Sequence, residues 1–388
     1  MSIETITLGC RLNFAESDTI ARLAPAGQEW VIVNSCAVTN EAVRQTRQAI
    51  RRAHRRRPSA NILVTGCAAE LDPGAFEALP GVSSVVGNAA KLNSFGTLEV
   101  TRPVPAGLLA KVKSFVAIQT GCDHRCTFCS IWQARGPSRS LPFEAIRDAV
   151  ALEIDRGAKE IILTGVDITD YEGGLGSLCR RLLNAESRLT RLRLSSLDSI
   201  EIDEELFELI AGEKRLMPHF HLSLQAGDDM ILKRMRRRHS RAEAVTTVER
   251  IKAARSDATI GADLIAGFPT ETEEMSFNSL KLLDDCDIIA AHVFPFSPRP
   301  KTPASRMPQL AREVVKARAD QLRQRAAERR SRWLGSLIGS TQSALAEGDG
   351  KGHTDNFAPV AIDGSKRGET GRARVVGRVN DHLTAVWA

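Results

Sequence analysis

Gln119-Thr-Gly-Cys-Asp-His-Arg-Cys-Thr-Phe-Cys-Ser-Ile-Trp-Gln-Ala-Arg-Gly-Pro-Ser-Arg139 carries three cysteines, Cys122, Cys126 and Cys129, at a Cys-x3-Cys-x2-Cys spacing. The run before it, Val112-Lys-Ser-Phe-Val-Ala-Ile-Gln119, alternates apolar and polar residues as a strand does. Three thiols this close can grip one metal centre. A closed zinc site wants four tetrahedral ligands, usually as paired knuckles, and no fourth cysteine lies nearby. Thiolates are also the usual ligands of a [4Fe-4S] cube, which normally takes four, so three would leave one iron open. The cube is the better match; a structural metal loop or three buried thiols are the bland alternatives.

The stretch resembles the radical S-adenosylmethionine superfamily. That resemblance implies that the open iron chelates the amino and carboxylate groups of S-adenosylmethionine. An electron then cleaves the cofactor to a 5′-deoxyadenosyl radical, which makes Cys122, Cys126 and Cys129 the catalytic cluster ligands.

The chain has 388 residues, 43% of them hydrophobic, and a length that predicts two or three domains. Eight cysteines are too sparse for a disulfide scaffold, and six of them fall into two patterned groups, so metal binding in a reducing cytosol is expected. No signal-peptide pattern opens the chain and no apolar run approaches the roughly 18 residues needed to span a membrane, so the expectation is a cytoplasmic protein with no membrane partner. A formal net charge of +6 permits a polyanionic partner without requiring one.

The first hundred residues read as strands at Ile3 to Leu8, Trp30 to Val33 and Ile62 to Thr65, with helices between, which predicts a doubly wound parallel sheet. Cys10, Cys36 and Cys67 each fall two or three residues past one of these strands. Parallel strands send all their carboxyl ends to one edge, where ligands bind, so the three converge. Gly9 and Gly66, directly before two of them, suit a tight turn and close approach. Taken singly, each is as well explained as a small apolar residue at a strand end. Together, Thr7-Leu-Gly-Cys-Arg-Leu-Asn13, Val33-Asn-Ser-Cys-Ala-Val-Thr-Asn-Glu41 and Val64-Thr-Gly-Cys-Ala-Ala69 resemble the cluster-binding segments of the methylthiotransferase N-terminal domain. This implies a second [4Fe-4S] cluster on Cys10, Cys36 and Cys67, whose open iron carries the sulfur to be transferred.

Val100-Thr-Arg-Pro-Val-Pro-Ala-Gly107 reads as a linker. Beyond it come strands at Val112 to Ile118, Glu160 to Leu163, Arg191 to Leu194, His219 to Leu224, Thr259 to Ile265 and Ile288 to Phe294, which is six and short of a closed eight-stranded barrel. An open, partial (βα)6 barrel is expected, with its chemistry at the strand ends. Leu163-Thr-Gly-Val-Asp167 and Gly261-Ala-Asp-Leu-Ile-Ala-Gly-Phe-Pro-Thr-Glu271 resemble superfamily segments that touch the cofactor. The resemblance implies cofactor contacts from Thr164, Gly165, Asp167, Ser195, Gln225, Gly267, Phe268 and Pro269. Cys179 and Cys286 read as helix-borne core thiols. A charged helix runs from about Leu310 to Ser336, and the last fifty residues, with short alternating runs punctuated by glycines, predict a small antiparallel β-barrel that resembles the TRAM domain, an RNA-binding module. The expected domains are 1–104, 108–334 and 335–388.

Arg44, Arg47, Arg51 and Arg55 recur at helical spacing, joined by Arg52, Arg56 and Arg57, and a second cluster runs Lys233-Arg-Met-Arg-Arg-Arg-His-Ser-Arg241. Neither is balanced by nearby acids in the chain, so phosphate contacts are expected from Arg51, Arg55, Arg234, Arg236, Arg237 and Arg238, the alternative being a solvated basic face. The resemblance to methylthiotransferases covers nearly the whole chain. Within them, Ala134-Arg-Gly-Pro-Ser-Arg139, Pro218-His-Phe-His-Leu-Ser-Leu-Gln225 and His292-Val-Phe-Pro-Phe-Ser297 look most like the branch that adds a methylthio group to C2 of N6-threonylcarbamoyladenosine in tRNA. Ser130-Ile-Trp-Gln133 departs from the family's usual aliphatic, proline and aromatic run at the adenine wall. The partners implied are the anticodon arm of tRNA, an electron donor such as flavodoxin or ferredoxin, and a sulfur source. Sister branches act on isopentenyladenosine in tRNA or on a ribosomal-protein aspartate, and an iron-sulfur RNA sensor without catalysis would share the metal and the basic patches.

Overall fold

A computed structural model describes residues 3–25, 27–93 and 111–388; the linker read at 100–107 lies outside them. In the N-terminal unit Ile3–Thr7, Trp30–Ser35, Asn61–Gly66 and Val82–Val85 form a wholly parallel sheet in sequence order. The order lacks the reversal that defines a doubly wound sheet, although helices cover both faces. Ile20 and Ala21 of helix Arg11–Leu23 pack on Ile32 and Leu63, whereas Ile50 and Ala53 of helix Asn40–Arg56 pack on Val31, Val33, Ile62 and Val64. Period-2 strands present alternate residues to opposite faces, and an all-apolar run therefore requires two covers. The fourth strand, Val-Ser-Ser-Val, has too little alternation to be read from its sequence.

The central unit arranges Lys113–Ala117, Glu160–Thr164, Leu192–Leu194 with Ser196–Leu197, His219–Gln225, Thr259–Ala266 and Ile288–Pro295 as six successive parallel positions of an open barrel. Residues such as Leu163, Leu222, Leu224, Ile260, Ala262 and Leu264 face the helices in the main core. Their neighbours on the same strands face inward, and this concave face is polar: Lys113, Glu160, Arg193, His219, His221, Asp263 and His292. The N-terminal unit spans the barrel's open side. Phe14 meets Phe115 on one edge strand with ring centroids 6.1 Å apart, and past the other edge strand Arg299 donates to Asn40 Oδ1 at 2.6 Å. Cys179 is fully buried within helix Leu175–Ala185, and Cys286, equally buried, caps helix Glu273–Asp285.

Helix Arg312–Ser336 runs along the last barrel strand and inserts Leu334 into the core of the C-terminal unit. That unit is a closed five-stranded barrel. One seam departs from an antiparallel reading: Pro359–Ile362 pairs in parallel with His382–Trp387. The small barrel plugs the amino-terminal mouth of the large one. Phe357, held at φ 71°, stacks on His353 at 4.6 Å and on His219 at 4.9 Å between ring centroids, with the Arg193 guanidinium 4.8 Å from its ring. Burial, reinforced by the Arg193 charge, holds the His219 pKa well below the ordinary histidine value, so a neutral ring takes the stack. Two ring stacks and the cation contact at roughly 0.5–1.5 kcal/mol each predict that Phe357→Ala costs about 2–4 kcal/mol. Thermal unfolding measures the loss, and faster proteolysis near Leu337 reports release of the small barrel.

Candidate active site

The loop of Cys122, Cys126 and Cys129 leaves the first barrel strand through a two-residue ladder, Gln119–Thr120 against Arg139–Ser140, which pins its neck. Cys122 N–H donates to Gly136 O at 3.1 Å, Cys129 N–H to Cys126 O at 3.2 Å, and Ile131 N–H to Cys129 Sγ at 3.3 Å. Burial, with the Asp167 carboxylate adding, pushes the Cys122 thiol up to about 12; burial pushes Cys129 up to about 11. Such thiols keep their protons until a metal takes the thiolates.

The second triad assembles at the carboxyl edge of the N-terminal sheet. Cys10 precedes helix Arg11–Leu23, Cys36 follows strand Trp30–Ser35, and Cys67 opens helix Cys67–Leu71. The three thiols lie within one another's electrostatic reach. Two glycines make the cradle. A Cβ on Gly9, at φ +93°, would stand 2.7 Å from Cys36 Sγ, and one on Gly66, at φ +92°, would strike Asn34 Oδ1 and the Ser35 backbone.

Donor spacing tests what the triads hold. Among the described residues, the groups whose ligand atoms close to within 4.8 Å of one another are Cys122–His124–Asp167, His221–Asp263–His292 and His124–Asp198–Glu201. Neither cysteine triad is so tight. Four-coordinate zinc, at about 2.3 Å per sulfur, would draw thiolates to about 3.8 Å of one another. The wider spread fits ligands on separate corners of an iron-sulfur cube.

The two triads face each other, since Cys129 lies within the field of Cys67. Arg135, which ends the short helix after Cys129, is buried and reaches to the N-terminal triad, donating to Cys67 Sγ at 3.3 Å, to Glu16 Oε1 at 2.8 Å and to Asn13 Oδ1 at 2.7 Å. Lys91 completes the cross-link by bonding Glu16 and, at 2.8 Å, Asn88 Oδ1. Despite burial, the Cys67 and Glu16 charges hold Arg135 above its ordinary pKa. Asn13, Glu16, Asn88 and Lys91 carry no sequence signal of this role, because their partners are distant in the chain.

The residues expected to contact the cofactor follow the strand order. Gln119 Oε1 accepts from the backbone of Val166 and Asp167, both at 3.0 Å, and Gly165 packs so tightly on Gln119 that a Cβ would come within 2.9 Å. Thr164 is buried, and its carbonyl accepts from Ile118 N–H at 2.9 Å. Burial, then repulsion by Glu201, pushes the Asp167 carboxyl up to about 6, beside His124 Nδ1 at 3.5 Å. Ser195 ends the third strand position, and Gln225 ends the fourth at φ 69°. Gly267, at φ 72°, donates its N–H to Glu271 Oε2 at 3.0 Å, and Pro269 is buried behind it. Phe268 departs from the expected cofactor role: it is fully buried, edge-on to Phe296 in a cluster that reaches Phe128, and so braces the cysteine loop from behind.

The expected phosphate-facing arginines separate. Arg51, Arg52 and Arg55 are exposed, with no hydrogen bond or ion pair among the described residues. The acids that seemed missing from that cluster come from elsewhere: Arg44 pairs with Glu41 within the helix, Arg47 with Asp72 at 3.7 Å, and Arg56 with Glu4 at 2.6 Å. In the second cluster Arg236 is exposed, while Arg234 donates to Thr270 O at 3.2 Å. Arg238 is tied to Glu201. Arg237 does not face outward at all. Its buried side chain donates to Asp198 Oδ2 and Ser223 O at 2.8 Å each and lies 3.9 Å from Cys126 Sγ. Three consecutive arginines look alike in sequence; the helix ending at Met235, with Arg236 left-handed, turns only the middle one inward.

An open six-stranded barrel with this cysteine loop past its first strand defines a radical S-adenosylmethionine protein. The Radical SAM superfamily matches residues 116–283, and the Uncharacterized protein family UPF0004 matches residues 2–87. The threonylcarbamoyladenosine tRNA methylthiotransferase MtaB of Rickettsia prowazekii is 42% identical over 93% of this chain and 91% of its own length. The tRNA-2-methylthio-N(6)-dimethylallyladenosine synthase of Erythrobacter litoralis is 30% identical over 89% and 86%. Among solved structures, the radical S-adenosylmethionine methyltransferase TsrM from Kitasatospora setae superposes with a TM-score of 0.55 at 16% identity over 76% of this chain and 70% of that one, a likeness of fold. The chain belongs to the MtaB family of threonylcarbamoyladenosine tRNA methylthiotransferases.

Proposed function

We propose that this protein transfers a methylthio group to C2 of N6-threonylcarbamoyladenosine beside the anticodon of tRNA. The observation that carries the reading is the approach of two cysteine triads to one another, with Cys129 of one within the field of Cys67 of the other. When bound, the iron-sulfur clusters and S-adenosylmethionine supply a 5′-deoxyadenosyl radical on one side and the methylthio sulfur on the other. Cys122, Cys126 and Cys129 hold the cleaving cluster, and Cys10, Cys36 and Cys67 a second one. Asp167 and the Gln119-braced turn after Thr164 would accept from the cofactor's amino group, as the superfamily resemblance implies. The N-terminal unit, laid over the barrel's open side, excludes water from a reaction that an exposed radical would not survive. The domains at 1–104, 108–334 and 335–388 then act as sulfur carrier, radical source and RNA-holding module.

The greater identity to the MtaB relative than to the dimethylallyladenosine synthase favours this branch over the isopentenyladenosine one, and nothing comparable favours the ribosomal-protein branch. No described helix is long and apolar enough to cross a membrane, which accords with work on tRNA in the cytoplasm beside a flavodoxin- or ferredoxin-like donor and a sulfur source. Mass spectrometry of tRNA nucleosides from cells with and without the protein tests the reading; unchanged 2-methylthio-N6-threonylcarbamoyladenosine would remove it. For the RNA surface, replacing Arg51, Arg52 and Arg55 by glutamine should flatten the slope of log affinity against log salt for the anticodon arm by about 2 to 3 units, at about 0.7 to 0.9 per phosphate contact. An unchanged slope takes this helix out of the footprint.

A further inference from the structure

Two of the stretches that carry the branch resemblance, Pro218 to Gln225 and His292 to Ser297, meet inside the barrel at one carboxylate. His221 Nε2 lies 2.9 Å and His292 Nδ1 3.2 Å from the same Oδ1 of Asp263, with the two rings 4.7 Å apart. Three neighbouring strands build the arrangement: Gly261 lies opposite His221 in register, and Asp263 opposite His292. Gly261 is required, since a Cβ there would stand 2.5 Å from His221 Nδ1. The group is poised for a visitor. Asp263 Oδ2 has no hydrogen bond among the described residues, and the His292 side chain is 61% exposed on the concave face.

A cation lies within its electrostatic reach. Arg11, next to Cys10 on the helix laid over the barrel, is partly buried, and Asp263, Glu160 and Arg193 are the charges it feels. Among the described residues it makes no hydrogen bond or ion pair. The other lumenal cations are already matched: Arg193 holds Glu160 at 2.9 Å, and Lys113 holds Glu347 at 2.6 Å. A half-buried guanidinium without a partner is costly unless an anion arrives. On their strands His221 and Asp263 each stand four residues before the residues Gln225 and Gly267 at the strand ends, so the group lies deeper in the barrel than those ends.

We propose that Arg11, His221, Asp263 and His292 form the pocket that reads the threonylcarbamoyl group. Arg11 and His292 donate to its carboxylate, Asp263 Oδ2 accepts from a ureido N–H or the threonyl hydroxyl, and His221 fixes the Asp263 carboxylate. An unsubstituted adenosine or an alkylated one leaves Arg11, His292 Nε2 and Asp263 Oδ2 without the partners that the threonylcarbamoyl group supplies, which is how a polar pocket discriminates. The assignment rests on the proposed function and names the residues that set its specificity.

The test uses reconstituted holoenzyme and anticodon stem-loop RNAs bearing N6-threonylcarbamoyladenosine, the same group with its carboxylate converted to the amide, or dimethylallyladenosine. The wild-type protein should prefer the carboxylate over the amide by about tenfold or more in kcat/KM, the worth of a charged hydrogen bond. His292→Ala and Arg11→Met should each collapse that preference mainly through KM, and His292→Gln should restore part of it. Iron content and thermal unfolding are read on every variant. Because Arg11 adjoins a cluster ligand in the chain and His292 does not, His292→Ala, read with its iron content, is the deciding variant. A His292→Ala protein with normal iron and an unchanged carboxylate preference overturns the proposal. So does a stoichiometric zinc or manganese ion that is lost on His292→Ala, which would make the triad a metal site. Wild-type protein inactive on the threonylcarbamoyl RNA would instead overturn the function itself.

Discussion

Anaerobically reconstituted protein should hold about eight irons per chain, and Cys126→Ala about four, the difference being one cube. The same substitution should abolish 5′-deoxyadenosine release and methylthio product together, a loss of many orders of magnitude, because the proposed function gives reductive cleavage to that cluster and sulfur delivery to the other. Cys10→Ala should also drop to about four irons. That variant should still release 5′-deoxyadenosine from S-adenosylmethionine and dithionite, since it leaves Cys122, Cys126 and Cys129 untouched. It should make no methylthio product. Full iron loss in either single variant would mean that the triads share one centre, and methylthiolation without Cys10 would remove the sulfur-carrying role from the N-terminal unit.

The second large effect lies in the floor of the barrel. Glu160 and Arg193 are both fully buried; Arg193 clasps Glu160 at 2.9 Å and 3.1 Å, and Arg191 joins at 3.1 Å. Glu160→Gln would leave buried guanidinium charge uncompensated, at a cost of about 3–5 kcal/mol. Against a typical total of about 5–15 kcal/mol, that is a severe loss, visible as a lower denaturant midpoint. The same pair fixes a pH dependence. Burial alone would raise the Glu160 pKa, but Arg193, Lys113 and Arg191 overcome it and lower the value from 4.5 to about 2. A folded pKa below the unfolded one contributes stability that is complete above about 4.5 and is lost as pH falls toward 2. The acid limb of wild-type unfolding should therefore be steeper over that window than that of Glu160→Gln, and equal slopes would refute the assignment.

Glu160 also shows where reading the chain alone stops. The strand it opens was legible from Glu160 to Leu163, yet nothing beside it in the chain names Arg193 as its partner. Period-2 alternation says that one face is polar; it does not say whether that face meets water or the inside of a closed sheet. Likewise Arg236, Arg237 and Arg238 are equivalent as a charge run, yet only Arg237 is drawn inward by Asp198.

Ligand spacing, strand and helix periods and the punctuating glycines act over a few residues. The sequence by itself therefore determined the two cysteine triads, the parallel strands that deliver them to one edge, the number of barrel positions, the long helix and the small terminal barrel. Tertiary structure alone decided that the two triads come within each other's field, that Arg135 reaches Cys67, that Phe357 seals the barrel floor, that Phe268 braces the cysteine loop, and that His221, Asp263 and His292 meet inside the barrel. Each of those depends on partners far apart in the chain, whose meeting is set by sheet closure and by how the three units dock, and no local pattern encodes either.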